Sequence, residues 1–302
     1  MRLVIVGHGS IGKRHHRNAV SLGVAESDIQ VVDPLVDDSF PLDDALRSAP
    51  DAVCICTPLD THCAIATEVL RNTRAAVFIE KPLCETRDDA LMLARLARER
   101  VAQVGYCWRY HRTVADVVRD ISDIAKEGKK LQVVTLTCHS CRSMWPGLPS
   151  TYGDAIYEAS HEIDLACRFF AAKTVKWSHV RSSEAWLSLN TGMMREASKN
   201  ALALSPIAVG SLRSVDCDLR YVGSKGDECR TISALYEGNR RVVFNLRKPL
   251  SAIATMYRDE LEDFLRAVVA GKPSPLAASF KDAAQVVEMI HDAKRYSNLS
   301  HS

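Results

Sequence analysis

Three groups of residues in this 302-residue chain have the types and spacing for chemistry. The first is Gly7-His8-Gly9-Ser10-Ile11-Gly12, which follows the apolar run LVIV at 3–6 and opens a helical pattern. In that context Gly7 permits a tight turn, Gly9 lets the backbone approach a pyrophosphate, and Gly12 lets helix and strand pack closely. The amides of the first helical turn, beginning at Ser10 and Ile11, then face the anion. About twenty residues further on, Asp33 closes the next apolar run. An acid there accepts from the ribose 2′-hydroxyl of NAD and repels the 2′-phosphate of NADP. Between 34 and 46 there is no lysine or arginine, while Asp37, Asp38, Asp43 and Asp44 make the region acidic. NAD is therefore the expected cofactor over NADP.

The second group lies at the ends of the next two apolar runs. Cys56-Thr57-Pro58, followed by Asp60-Thr61-His62, ends one, and Glu80-Lys81-Pro82 ends the other. Both fall at the carboxyl edge of a parallel sheet, where ligands bind in such folds. A lysine there can supply positive charge to a developing alkoxide. The third group is Tyr157-Glu158-Ala159-Ser160-His161-Glu162-Ile163-Asp164. On a helix, Glu158 and Asp164 lie about 60° to either side of His161, and Tyr157 about 40° away. Flanking carboxylates fix the tautomer and raise the basicity of a histidine, which suits a general base near neutral pH.

Two further features read as structure. Lys13-Arg14-His15-His16-Arg17 has the look of a solvated helix face rather than a nucleic-acid patch. Cys138 and Cys141 have metal-like spacing, but no second pair follows, so a strand end is expected there and no metal.

The elements that must position these groups follow from periodicity. Apolar runs at 3–6, 29–33, 52–56, 76–80 and 101–104 alternate with helical patterns at 11–22, 42–47, 61–72 and 88–99. Near-continuous apolar strands separated by helices make a doubly wound parallel sheet, buried on both faces. After Gly105 the pattern changes: a helix at 113–125, an alternating strand in LQVVTLTC, a helix at 154–170, then strands broken by glycine turns. Helices at 257–269 and 280–294 close the chain, and 182–200 has too little periodicity to assign. The expected domains are 1–107, binding a dinucleotide, and 108–302, a mixed, mainly antiparallel α/β domain for substrate binding and oligomerisation. Composition agrees with a globular protein, at 47% hydrophobic and 25% charged residues with a net charge of +2. That charge argues against a nucleic-acid partner. The apolar opening is too short for a signal peptide, and no later run has the length of a membrane span, so a cytoplasmic location is expected. The ten cysteines then read mainly as small buried hydrophobes in a reducing compartment.

Taken together, GHGSIGKRH, VVDP, CTPLDTH, EKPL, GYCWRYH, SHEID, YVGSKGD and MYRDELEDFLRAV resemble, in order, the motifs of the Gfo/Idh/MocA family of NAD(P)-dependent oxidoreductases. The resemblance implies an N-terminal Rossmann domain joined to an α/β domain whose large open sheet often forms the interface of a homodimer or homotetramer. It implies that Lys81, in a Lys-Pro peptide commonly cis in the family, orients and polarises the reacting hydroxyl or carbonyl, and that His161 exchanges the hydroxyl proton. Many members carry an aspartate four residues before that histidine; here the position is Tyr157 and the carboxylate is Glu158, which makes either a candidate for touching substrate. Arg109 and His111 are family-like positions near nicotinamide and substrate, and Trp145, within 139–153, is a candidate pocket residue.

The expected activity is hydride transfer between NAD and a secondary alcohol or ketone of a sugar, amino sugar, nucleotide-linked sugar or cyclitol. Two rival readings are an NAD-retaining glycosidase and a catalytically silent NAD-binding sensor.

Overall fold

The computed structural model describes residues 1–126, 131–139, 157, 160–170, 174–181, 184–190, 214–219, 229–236, 240–245 and 250–299. The chain divides into two units, Met1–Cys107 with Thr255–Glu288, and Trp108–Ala254 with Met289–Ser302. The return of residues 255–288 to the first unit is a crossing that local periodicity did not reveal.

The first unit is built on β1 (Leu3–Val6), β2 (Ile29–Val32), β3 (Ala52–Ile55), β4 (Ala76–Glu80) and β5 (Ala102–Gly105), with α1 (Ser10–Ser21), α2 (Leu42–Arg47), α3 (Leu59–Asn72) and α4 (Arg87–Leu96) between them. The strands are parallel and ordered β2-β1-β3-β4-β5. This is a doubly wound sheet whose order reverses between β1 and β3, the place where such sheets bind ligands. A two-residue strand, Ala278–Ser279, adds antiparallel to β5 at the edge and was not foreseen.

Alternation along each strand explains the burial. Leu3 and Ile5, Ala52, Cys54 and Cys56, and Ala76 and Phe78 join one apolar cluster with Ala19 of α1. The same cluster takes Leu261, Phe264 and Leu265 of the later helix α7 (Leu250–Ala270). Their spacing of three and four residues is one helix face. Phe264 meets Phe78 edge-on at 5.6 Å. The intervening strand residues Val4, Val6, Val53, Ile55, Val77 and Ile79 are buried too. The sheet is thus covered on both faces, which is why its strands read as continuous apolar runs.

The second unit holds α5 (Arg112–Lys126), β6 (Leu131–His139), α6 (Ser160–Phe170), β7 (Thr174–Arg181), β8 (Glu184–Asn190), β9 (Ser214–Leu219), β10 (Cys229–Tyr236) and β11 (Arg240–Asn245). Its sheet runs β11-β10-β6-β9, antiparallel except for the β6/β9 pair, and β7 and β8 form a separate antiparallel pair. The mixed, mainly antiparallel character matches the reading. β8 occupies part of the stretch left unassigned. Cys138 lies near the end of β6, and Cys141 lies outside the described residues. Helix α8 (Phe280–Leu299) closes the chain. Among the described residues no helix is long and apolar enough to cross a membrane.

Candidate active site

At the carboxyl end of β1 the glycines meet different demands. Gly7 has φ +88°, and a Cβ there would lie 2.7 Å from the Cys56 carbonyl oxygen at the end of β3. A Cβ on Gly12 would lie 2.0 Å from the Gly7 carbonyl oxygen, so helix and turn close only around a hydrogen atom. Gly9 differs: it is extended, exposed, and has nothing within 4 Å of an added Cβ. Gly9 is also the N-cap of α1, with no side chain capping it. The turn fits a dinucleotide, since it offers open space beside uncapped first-turn amides that include those of Ser10 and Ile11.

Substitution separates these roles. Gly12→Ala is expected to destabilise the fold at or above the upper end of the ~1–3 kcal/mol of overpacking. Gly9→Ala is expected to change stability by no more than about 1 kcal/mol. A methyl in the phosphate space carries a similar overpacking penalty, and NAD affinity falls by roughly tenfold or more. Thermal melts alongside NAD titration check both. Undiminished affinity in Gly9→Ala would remove the pyrophosphate from this turn.

Asp33 follows β2. Its Oδ2 accepts from the His8 amide at 2.5 Å and its Oδ1 from the Leu35 amide at 2.9 Å. The carboxylate is thereby aimed while each oxygen keeps further acceptor capacity. Among the described residues no lysine or arginine forms an ion pair with it. The His8 imidazole turns to α1, where Nε2 lies 3.0 Å from His16 Nδ1, and His16 Nε2 lies 2.7 Å from Glu26 Oε1. Burial, then the neighbouring His16 and Lys13, hold His8 below the ordinary histidine pKa, with Asp33 opposing.

The run at 13–17 divides by helical phase. Lys13, Arg14 and Arg17 are exposed as expected, and Arg14 stacks on the Tyr257 ring at 4.4 Å. His15, in line with Gly12 and Ala19, is fully buried, which corrects its assignment to a solvated face. Its Nε2 lies 2.7 Å from Glu80 Oε1, and its ring meets Phe78 edge-on at 5.0 Å. The i, i+3, i+7 spacing of Gly12, His15 and Ala19 was the available signal.

At the ends of β3 and β4 the expected cofactor residues behave unequally. Cys56 belongs to the apolar cluster, and burial pushes its thiol pKa well up. Thr57 is partly exposed and Pro58 exposed at the start of α3. His62 is 1% exposed, and its two ring nitrogens lie 2.9 Å from the Thr57 carbonyl and 3.0 Å from the Pro82 carbonyl. Both ring nitrogens thus face protein carbonyls. Burial is the main reason its pKa is lowered, against the raising effect of those carbonyls and of Glu80. Lys81 is partly exposed, in a cis peptide bond to Pro82, and its amide lies 3.3 Å from Glu80 Oε2.

In the second unit, six successive residues of α6, Ser160 through Leu165, are buried, His161 at 6% and Glu162 at 1% exposure. Charged residues are almost never buried so fully unless paired. Both Asp164 oxygens are taken by Arg109, with Nε donating to Oδ2 at 2.7 Å and Nη2 to Oδ1 at 2.5 Å. The planar guanidinium matches the carboxylate fork. Asp164 was expected as one of two carboxylates acting on His161, and Arg109 as a ligand contact. The structure makes them an ion pair, 1% and 4% exposed. His111 is buried, stacks on Trp108 at 5.1 Å and accepts from the Thr113 amide through Nδ1 at 3.2 Å. Tyr157 is buried; Glu158 and Trp145 lie outside the described residues.

Comparison with known proteins adds to this geometry. Residues 1–106 match the model of an oxidoreductase family with an NAD-binding Rossmann fold. A curated relative, UDP-N-acetylglucosamine 3-dehydrogenase of Acidithiobacillus ferrooxidans, is 35% identical over 121 residues, which are 37% of this chain and only 38% of that protein's length. The solved structure of UDP-N-acetylglucosamine 3-dehydrogenase GnnA from that organism aligns with a TM-score of 0.69 at 20% identity, over 98% of this chain and 97% of that one. GenD2 from gentamicin A biosynthesis, solved in complex with NAD, aligns with a TM-score of 0.75 at 18% identity, over 99% of this chain and 94% of that one. At such identities the two structures show a shared fold.

Proposed function

We propose that this chain, whose residues 1–106 belong to the Gfo/Idh/MocA family of oxidoreductases, is an NAD-dependent dehydrogenase acting on a secondary alcohol, or the matching ketone, of a carbohydrate or cyclitol. The observation that carries the reading is the open Gly9 turn beside the aimed carboxylate of Asp33. Bound NAD supplies a hydride acceptor, or NADH a donor, and the protein supplies position and a proton route. The first-turn amides of α1 hold the pyrophosphate and Asp33 takes the ribose hydroxyl, which favours NAD over NADP. Lys81, with Glu80, Thr57 and Pro58 on the neighbouring strand ends, serves the reacting group. Its ammonium orients the hydroxyl and stabilises negative charge developing on oxygen. His161 exchanges the hydroxyl proton. The Arg109–Asp164 pair fixes α6 and so the imidazole, while Glu158, Tyr157, His111 and Trp145 serve substrate selection.

The name of the curated relative supports a nucleotide-linked amino sugar as the first substrate to try. The work belongs in the cytoplasm, in a homodimer or homotetramer. The test is incubation with NAD and with NADH against free sugars, amino sugars, nucleotide-linked sugars and cyclitols, following nicotinamide absorbance. One class is expected to change it; silence across the panel with NAD bound would favour a sensor. Asp33→Ala is expected to lose most discrimination between NAD and NADP, about 1–3 kcal/mol of binding preference if one charge-assisted hydrogen bond is removed. Unchanged selectivity would take Asp33 off the ribose.

A further inference from the structure

Two buried histidines have no place in the proton route, and both grip the residues beside Lys81. We propose that His15 and His62 are positioning residues that set where the Lys81 ammonium stands, an inference resting on the role given to Lys81 above. Lysine carries its charge on a flexible four-carbon stem, so the anchoring of its backbone decides what the ammonium reaches. On the amino side, His15 of α1 reaches Glu80 Oε1 at 2.7 Å, and Glu80 Oε2 lies 3.3 Å from the Lys81 amide. On the carboxyl side, the His62 ring of α3 stands between the Pro82 carbonyl, 3.0 Å away, and the Thr57 carbonyl, 2.9 Å away. Two helices thus hold the peptide from both ends.

The cost of this arrangement argues for a purpose beyond packing. His15 is 0% exposed against Phe78, and its Nδ1 finds no partner among the described residues. Burying an unsatisfied polar atom is costly, and an apolar side chain at this place would avoid that cost. His62 is likewise enclosed, and burial is the main influence on its titration. Neutral, it donates to one carbonyl; protonated, to both.

The experiment uses the full chain with lysines reductively methylated with a ¹³C label, the Lys81 resonance being assigned by its loss in Lys81→Met. His15→Leu and His62→Leu are expected to displace or broaden that resonance, and His15→Gln, whose amide still donates to Glu80, to return it toward the native position. With a substrate in hand, the Leu variants should lose up to about 100-fold in kcat, the cost of a misplacement near 1 Å, while KM and NAD affinity hold. Should a Leu variant fail to fold, His15→Met or His62→Met, which also carries no hydrogen-bond donor, is read in its place, with the same displacement expected. An unmoved Lys81 signal in the folded Leu or Met variants overturns the proposal, as does a parallel loss of kcat, KM and NAD affinity. A displaced signal with no turnover on any carbohydrate upholds the positioning and rejects the oxidoreductase reading; an unmoved signal with turnover does the reverse.

Discussion

Lys81→Met is expected to lower kcat by about 10²–10³-fold or more, the usual consequence of removing a charge aimed at a developing oxyanion, while NAD binding stays close to native. Methionine keeps an unbranched stem of similar bulk and discards only the ammonium. The anchors around it, His15 on Glu80 and His62 on Pro82, are side chains elsewhere and persist. The glycine turn and Asp33, which hold the dinucleotide in this account, lie at the ends of β1 and β2. Steady-state kinetics on an identified substrate, with NAD titration on the same sample, measure both quantities. Near-native turnover would remove Lys81 from the chemistry.

Arg109→Met is expected to have the largest effect on stability. It leaves Asp164, 1% exposed, without the guanidinium that takes both of its oxygens. Breaking one side of a buried pair costs about 3–5 kcal/mol. At roughly 2–4 °C per kcal/mol for a domain of this size, the melting temperature of the second unit falls clearly. Adding Asp164→Leu should recover part of the loss, because the buried carboxylate goes with it. A single variant that melts with the native protein would show that the pair does not hold α6.

Why some of this was legible in sequence and some not follows from the range of the interactions. The parallel sheet was readable because strands buried on both faces are apolar throughout, and β1 and β4 fall where the runs predicted. The glycine turn was readable because positive φ at Gly7 and the close approach at Gly12 exclude other residues locally. Pairings between distant residues were not. Nothing near Asp164 announces that Arg109, 55 positions away, will claim its carboxylate. Nor does the motif around His62 show that its ring will bind the Pro82 carbonyl, 20 positions on. The return of residues 255–288 to the first unit has the same origin, since an amphipathic helix declares a buried face but not its partner. His15 was legible in principle: its phase with Gly12 and Ala19 outweighed the charges around it.

The proposed reaction passes hydride between a carbinol carbon and the nicotinamide. The measurement that meets it directly uses a substrate deuterated at that carbon, with NADH and oxidised product quantified together and the deuterium located. One NADH is expected for each ketone formed, with the label on the nicotinamide ring. Turnover of a glycoside with no accumulation of NADH, or a product whose label has gone to solvent, would contradict it.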